Sequence, residues 1–225
     1  MRDILELSGP IQKPQSGGKP KQLVVLLHGY GSDGNDLIGL APHWAPLMPN
    51  AEFVAPNAPF PCEMAPFGYQ WFSLADDSQA ARLAGVRAAA GLIDAYIDAA
   101  LKVRGLDDSK LALVGFSQGT MMSLYVAPRR AKPCAAVVGY SGALIGPQEL
   151  AREIRSRPPV LLIHGDADPV VPHRELAWAQ KALSEVGVPV TVETRPRVVH
   201  SIDDRGLMLG GRFLVHAFAP KDDAT

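Results

Sequence analysis

Residues 115–119 read Gly115-Phe116-Ser117-Gln118-Gly119, with Leu111-Ala112-Leu113-Val114 before them and Met121 to Val126 after. This is G-x-S-x-G set between a short apolar strand and a helix. In that context the two glycines leave room for a sharp, strained turn on which a serine hydroxyl stands exposed. A serine at this place could equally cap the helix that follows it. Either way the pentapeptide fixes a strand–turn–helix unit at the centre of the chain.

Working outward, the same alternation recurs. Unbroken apolar runs occur at Leu23–Leu27, Phe53–Ala55, Leu111–Val114, Ala135–Val138, Val160–Ile163 and Val188–Glu193. Runs of this kind suit parallel strands covered on both faces. Helical patterns lie between them. The clearest is Ala80–Arg104, where Leu83, Val86, Ile93, Ile97 and Leu101 recur at three- and four-residue steps. Asp77 and Ser78 stand at its start and Gly105 at its end, as start and stop signals require. Two more helices are expected near His173–Val186 and Asp203–Phe218. The succession predicts an α/β fold with a mostly parallel, doubly wound sheet flanked by helices. Asp3–Leu7 reads as an antiparallel edge strand joined through the polar Pro14–Pro20 connector. Ala41–Leu74, rich in proline and aromatics and poor in periodicity, reads as a long functional connection.

The chain has 225 residues, which suits one domain over 1–225 with a full core. Its 22 Lys and Arg nearly cancel 23 Asp and Glu, so no basic footprint argues for nucleic acid or an anionic membrane surface. Cys62 and Cys134 are far apart and outside any C-x-x-C spacing, which points to a reducing compartment and to neither a disulfide framework nor a zinc site. Met1-Arg2-Asp3-Ile4-Leu5-Glu6 lacks the apolar run of a secretory signal, and Leu23–Leu27 is too short to span a bilayer. The expected location is the cytoplasm, without stable membrane association. Composition is compatible with a homodimer and does not decide it.

A serine hydroxyl needs an imidazole to take its proton, and that imidazole needs a carboxylate to hold its tautomer. On a sheet of this kind the order is Ser, then Asp or Glu, then His, each on a loop at a strand's carboxyl end. Downstream of Ser117, the Val160–Ile163 run leads into His164-Gly165-Asp166-Ala167-Asp168-Pro169, and the Val188–Glu193 run leads toward Val199-His200-Ser201-Ile202. Six histidines compete for the base role. His28 and His164 lie at strand ends before glycines, His43 and His173 sit by prolines, and His216 is inside the last helix. Only His200 follows the final strand. For the acid, Asp166 and Asp168 are equally placed, and Asp166 could instead bond loop amides. An oxyanion needs two backbone N–H groups aimed at it. Gln118, after the nucleophile, supplies one, and Tyr30 in His28-Gly29-Tyr30-Gly31 supplies the other.

That loop also spells Gly29-Tyr30-Gly31-Ser32-Asp33-Gly34, formally a dinucleotide fingerprint. The rest of the fingerprint fails. Phe53-Val54-Ala55 is followed by Pro56-Asn57 where a ribose-binding acid belongs, and Pro42, Pro46 and Pro49 interrupt the region of the required helix. No H-E-x-x-H or paired His/Cys spacing suggests a metal. The expectation is an enzyme without cofactor or metal.

Taken together, His28-Gly29-Tyr30-Gly31, Gly115-Phe116-Ser117-Gln118-Gly119, His164-Gly165-Asp166-Ala167-Asp168-Pro169-Val170-Val171-Pro172 and His200-Ser201-Ile202 resemble the phospholipase/carboxylesterase family of α/β-hydrolases, from about Leu23 to Phe218. The resemblance implies an α/β-hydrolase fold without a large lid domain, and a Ser117–Asp168–His200 triad. It favours Asp168 over Asp166 as the acid. It matches Trp71-Phe72 to a motif bordering the acyl site, so Trp71 and Phe72, with Val171, are expected in the substrate pocket. Relatives carry Gly before the histidine, whereas this chain has Val199, a residue that resists positive φ. The base loop is therefore expected to take its own path. The implied activity is hydrolysis of small esters. Thioesters of acylated proteins and lysophospholipids are the alternative substrates, and a non-catalytic binding protein on the same fold is the remaining reading.

Overall fold

The computed structural model describes residues 7–76 and 78–219. In chain order these form β1 (Ile11–Gln12), β2 (Gln22–Leu27), α1 (Gly34–Leu37), α2 (Ala41–Trp44), β3 (Ala51–Val54), β4 (Phe60–Pro61), β5 (Tyr69–Gln70), α3 (Gln79–Arg104), β6 (Leu111–Phe116), α4 (Gln118–Val126), β7 (Ala136–Tyr140), α5 (Pro147–Glu153), β8 (Val160–Gly165), α6 (Arg174–Glu185), β9 (Val190–Arg195) and α7 (Asp204–Phe218). One sheet runs β1-β3-β2-β6-β7-β8-β9, and every pairing in it is parallel except β1 with β3. The small β4–β5 hairpin stands apart from that sheet.

Alternation along the strands splits the apolar residues into two layers, because successive side chains point to opposite faces. Leu23, Val25, Leu27, Leu111, Leu113 and Val137 face α3, α4 and α6, meeting Ile93, Ile97, Met122 and Leu183. Val24, Leu26, Ala112, Val114 and Val138 face the other side, meeting Trp44 of α2 and Leu214 of α7. The sheet is thus doubly wound, as the runs of buried aliphatics predict. α3 begins at Ser78, whose side chain accepts the Ala81 N–H, and ends at Gly105, whose φ of 67° only glycine adopts readily.

Two expectations are revised. The antiparallel edge strand is Ile11–Gln12, not Asp3–Leu7; of the latter, residues 3–6 lie outside the described residues and Leu7 is not in a strand. Ala41–Leu74 is not a bare connection, since it holds α2, β3 and the hairpin. Its elements are only two to four residues long, too short to show periodicity. Its aromatics are anchored individually, as where Trp44 Nε1 donates to the Leu207 carbonyl at 3.0 Å.

Candidate active site

The turn between β6 and α4 carries Ser117 at φ 53°, ψ −116°, a conformation costly for any residue with a Cβ. Close packing enforces it. A side chain at Gly119 would run into the Leu27 carbonyl, and one at Gly115 into the Gly119 backbone. Ser117 N–H donates to the Tyr140 carbonyl at 2.9 Å, tying the turn to β7. The Thr120 hydroxyl lies 2.8 Å from both the Tyr140 and Gly115 carbonyls.

Beyond β8, Asp168 and His200 come together. His200 Nδ1 is 2.8 Å from Asp168 Oδ2, and the Asp168 side chain has no exposed surface. Burial pushes the Asp168 carboxyl up. Hydrogen bonds from His200 and from the Val171 and Val170 N–H groups outweigh this, leaving it below the ordinary carboxylate value. Those two N–H groups reach Oδ1 at 2.9 and 2.8 Å. The carboxylate is therefore ionised, and the Nδ1–H tautomer of His200 donates to it, which turns the Nε2 lone pair away from the acid. Phe116, next to the serine, packs on the His200 ring with centroids 4.8 Å apart.

Asp166 does something else. Its Oδ1 accepts the Arg197 N–H at 2.6 Å. Arg197 takes the loop's positive φ, at 60°, and Val199 does not. Val199 therefore carries none of the left-handed strain of this loop.

The sequence passed over His164, placing it with loop packing. The structure buries it against the acid: Nε2 is 2.9 Å from the Val171 carbonyl and 3.3 Å from Asp168 Oδ2. Burial lowers its pKa, so the ring is neutral and donates from Nε2. The available signal was the four-residue spacing from Asp168 at the end of an apolar strand. His28 is likewise buried and held neutral by burial. Its Nε2 accepts the Ala58 N–H at 2.9 Å and its Nδ1 faces the Gly29 carbonyl at 2.7 Å.

The His28 ring thereby steadies the loop carrying Tyr30, and Gly31 N–H adds a bond to the Tyr69 carbonyl at 2.9 Å. Among the described residues, neither Tyr30 N–H nor Gln118 N–H has a protein acceptor. Both residues border the cavity that holds Ser117.

Trp71 and Phe72 are not in that cavity. Both are buried in the α3-side core, Trp71 completely. Trp71 Nε1 donates to the His28 carbonyl at 2.9 Å. The Gln118 side chain accepts the Trp71 N–H and donates to the Phe72 carbonyl, both at 2.8 Å. The expected pocket wall is instead a backbone clamp joining the Tyr30 side of the site to the first residue of α4. The bulk of the two rings is spent inside the core, which an aromatic-rich sequence cannot distinguish from a cavity wall.

The cavity, of ≈ 320 Å³, is lined by Tyr30, Leu74, Arg82, Ser117, Gln118, Met121, Ala143, Val170, Val171, Pro172, Glu175 and His200. It is mostly apolar, with Val171 in the wall as the sequence places it. Among the described residues no three His, Cys, Asp or Glu side chains gather into a metal-holding group, and no helix is long and apolar enough to cross a membrane.

Sheet order, elbow and the loops at the strand ends define an α/β-hydrolase. The chain matches the phospholipase/carboxylesterase family model over residues 11–216 and belongs to that family. It is 32% identical over 198 residues to esterase YpfH of Escherichia coli K12, covering 86% of this chain and 82% of the relative. Acyl-protein thioesterase 1 of Schizosaccharomyces pombe is 32% identical over 159 residues, covering 66% and 69%. The crystal structure of esterase PE8 superposes with a TM-score of 0.90 at 44% identity, covering 94% of this chain and 99% of that one.

Proposed function

We propose that this hydrolase is a serine carboxylesterase for small esters with apolar acyl groups, working through a Ser117–Asp168–His200 triad. The carrying observation is that Ser117 and His200 border one mostly apolar cavity while His200 Nδ1 is fixed by a fully buried carboxylate. Ser117 Oγ attacks the ester carbon as His200 Nε2 takes its proton. The carbonyl oxygen becomes negative and is met by the Tyr30 and Gln118 N–H groups. The tetrahedral species collapses, His200 protonates the leaving alcohol, and an acyl-Ser117 ester remains. Water, deprotonated by His200, then attacks that ester and releases the acid.

The volume stands at the small end of the roughly 300–1,000 Å³ usual for ligand pockets, which supports short acyl groups over long lipid chains. Cys62 and Cys134 are both free and buried, which supports a reducing, cytoplasmic setting.

Turnover of 4-nitrophenyl acetate, butyrate and hexanoate, with a fluorophosphonate label mapped by mass spectrometry, tests the reading. Hydrolysis with the label on Ser117 is expected. No turnover of any ester, or a label on another residue, overturns it.

A further inference from the structure

The cavity that holds Ser117 is bordered by a cation, Arg82, that has no ion-pair partner among the described residues. Arg82 lies in the first turn of α3, and that turn contains no acidic residue. A helix N-terminus carries partial positive charge, so a guanidinium there is electrostatically misplaced unless an anion joins it. Among the described residues the buried Arg82 Nε has no hydrogen-bond acceptor, a state that costs free energy for any polar group and more for a charged one. The side chain nevertheless borders the same cavity as Ser117 and Met121.

Glu175 also lines the cavity and makes no hydrogen bond to the Arg82 Nε. Its position explains itself: it lies in the first turn of α6, where a carboxylate is favoured by the helix end. Arg82 is the opposite case, unfavourable by the same rule and unpaired at Nε.

We propose that Arg82 binds a carboxylate carried by the substrate, so that the esters turned over best are anionic ones, such as half-esters of dicarboxylic acids. The inference rests on the serine esterase reading and adds to it a substrate class. A planar carboxylate can meet a guanidinium through two parallel N–H···O bonds. The apolar wall of Leu74, Met121 and Val171 holds the methylenes between the carboxylate and the ester. Glu175 opposes an anion elsewhere in the cavity and so favours the pose that places it at Arg82.

The carboxylate could ride on the acyl or the alcohol part, and matched substrate pairs separate these. Mono-(4-nitrophenyl) adipate is compared with 4-nitrophenyl hexanoate, and 4-carboxyphenyl hexanoate with phenyl hexanoate. Each pair gives an anionic-to-neutral ratio of kcat/KM. In Arg82→Gln at least one ratio is expected to fall by about tenfold or more, the scale of a hydrogen-bonded charge pair. Arg82→Lys should restore part of it, and Glu175→Gln should raise the same ratio. The pair that responds identifies the side carrying the carboxylate. Both ratios unchanged in Arg82→Gln, in protein with an unaltered circular dichroism spectrum, would overturn the proposal. Hydrolysis of the neutral esters by the unsubstituted protein is read separately, so a failure of the esterase reading shows as no turnover in any arm.

Discussion

The two turns that deliver Ser117 and His200 both force a side-chain-bearing residue to positive φ, and they differ in what fixes them. At the elbow, Ser117 is held at φ 53° by backbone against backbone, with Gly119 closed on Leu27 and Gly115 closed on Gly119. In the loop after β9, Arg197 takes φ 60° with the Asp166 carboxylate on its N–H, while Gly165 closes on the Val198 carbonyl, which also accepts the Ala167 N–H at 3.1 Å. Steric walls leave no alternative and demand fixed residues at fixed spacing. The His200 loop adds a polar side-chain latch to its backbone contact.

The sharpest test of the comparison is at the serine. Ser117→Ala removes the proposed nucleophile and should lower kcat for 4-nitrophenyl butyrate on the order of 10⁶-fold, by analogy with serine hydrolases. The walls do not depend on the hydroxyl, so the melting temperature should stay close to the original. If a tenth of the activity survived, the elbow would not be the site. On the latched side, Asp168→Asn should let the imidazole adopt the wrong tautomer and cost on the order of 10⁴ in kcat. Steady-state assays that found Asp166→Asn the more damaging of the two would reverse the assignment.

Legibility in the sequence follows the same division. G-x-S-x-G is readable because close packing permits only glycine at its ends, the strands follow from alternation, and the placing of Ser117 and His200 follows from the order of the loops at the strand ends. Asp166 and Asp168 were indistinguishable by position, because what separates them is which partner folds back to meet each one. His164 escaped notice for the same reason. The Trp71 and Phe72 rings were misassigned because aromatic content reports that apolar surface is covered without reporting which surface.

Truncating Trp71 checks that last point. Trp71→Ala should destabilise the fold by about 3–5 kcal/mol, the usual cost of emptying a fully buried aromatic site. Losses of kcat/KM should be equal for acetate, butyrate and hexanoate. A changed chain-length preference with unchanged melting would return the ring to the pocket.

Asp166→Ala, cutting the latch on Arg197, should cost about 1–2 kcal/mol, as for one hydrogen bond to a charged group near the surface. Thermal melts should show much of that cost recovered in Asp166→Ala/Arg197→Gly, where the left-handed strain is gone. If the second substitution restored nothing, the loop would be held by something other than this bond.

Acid should loosen both regions gradually through their buried imidazoles. His28 on the elbow side and His164 on the acid side both have pKa values lowered from 6.5 by burial. Below 6.5 the unfolded chain binds protons that the folded one refuses, so stability falls as pH drops through that value. Melts at pH 7.5, 6.5 and 5.5 should descend, and His28→Asn and His164→Asn, each normalised to pH 7.5, should each flatten part of the slope. A level profile for the unsubstituted protein would mean the rings are not held neutral.

Tyr140 gives the site a common datum. Its carbonyl holds the elbow through Ser117 N–H, while its hydroxyl donates to the Gly206 carbonyl of α7 at 3.1 Å, on the opposite face of the sheet. His200 sits four residues ahead of that helix. Ser117 and His200 are therefore both referenced to one strand end instead of through a long chain of intermediate parts. Positional errors accumulate over few links, as in a machined assembly dimensioned from a single edge, and a twist of the sheet carries both groups with it.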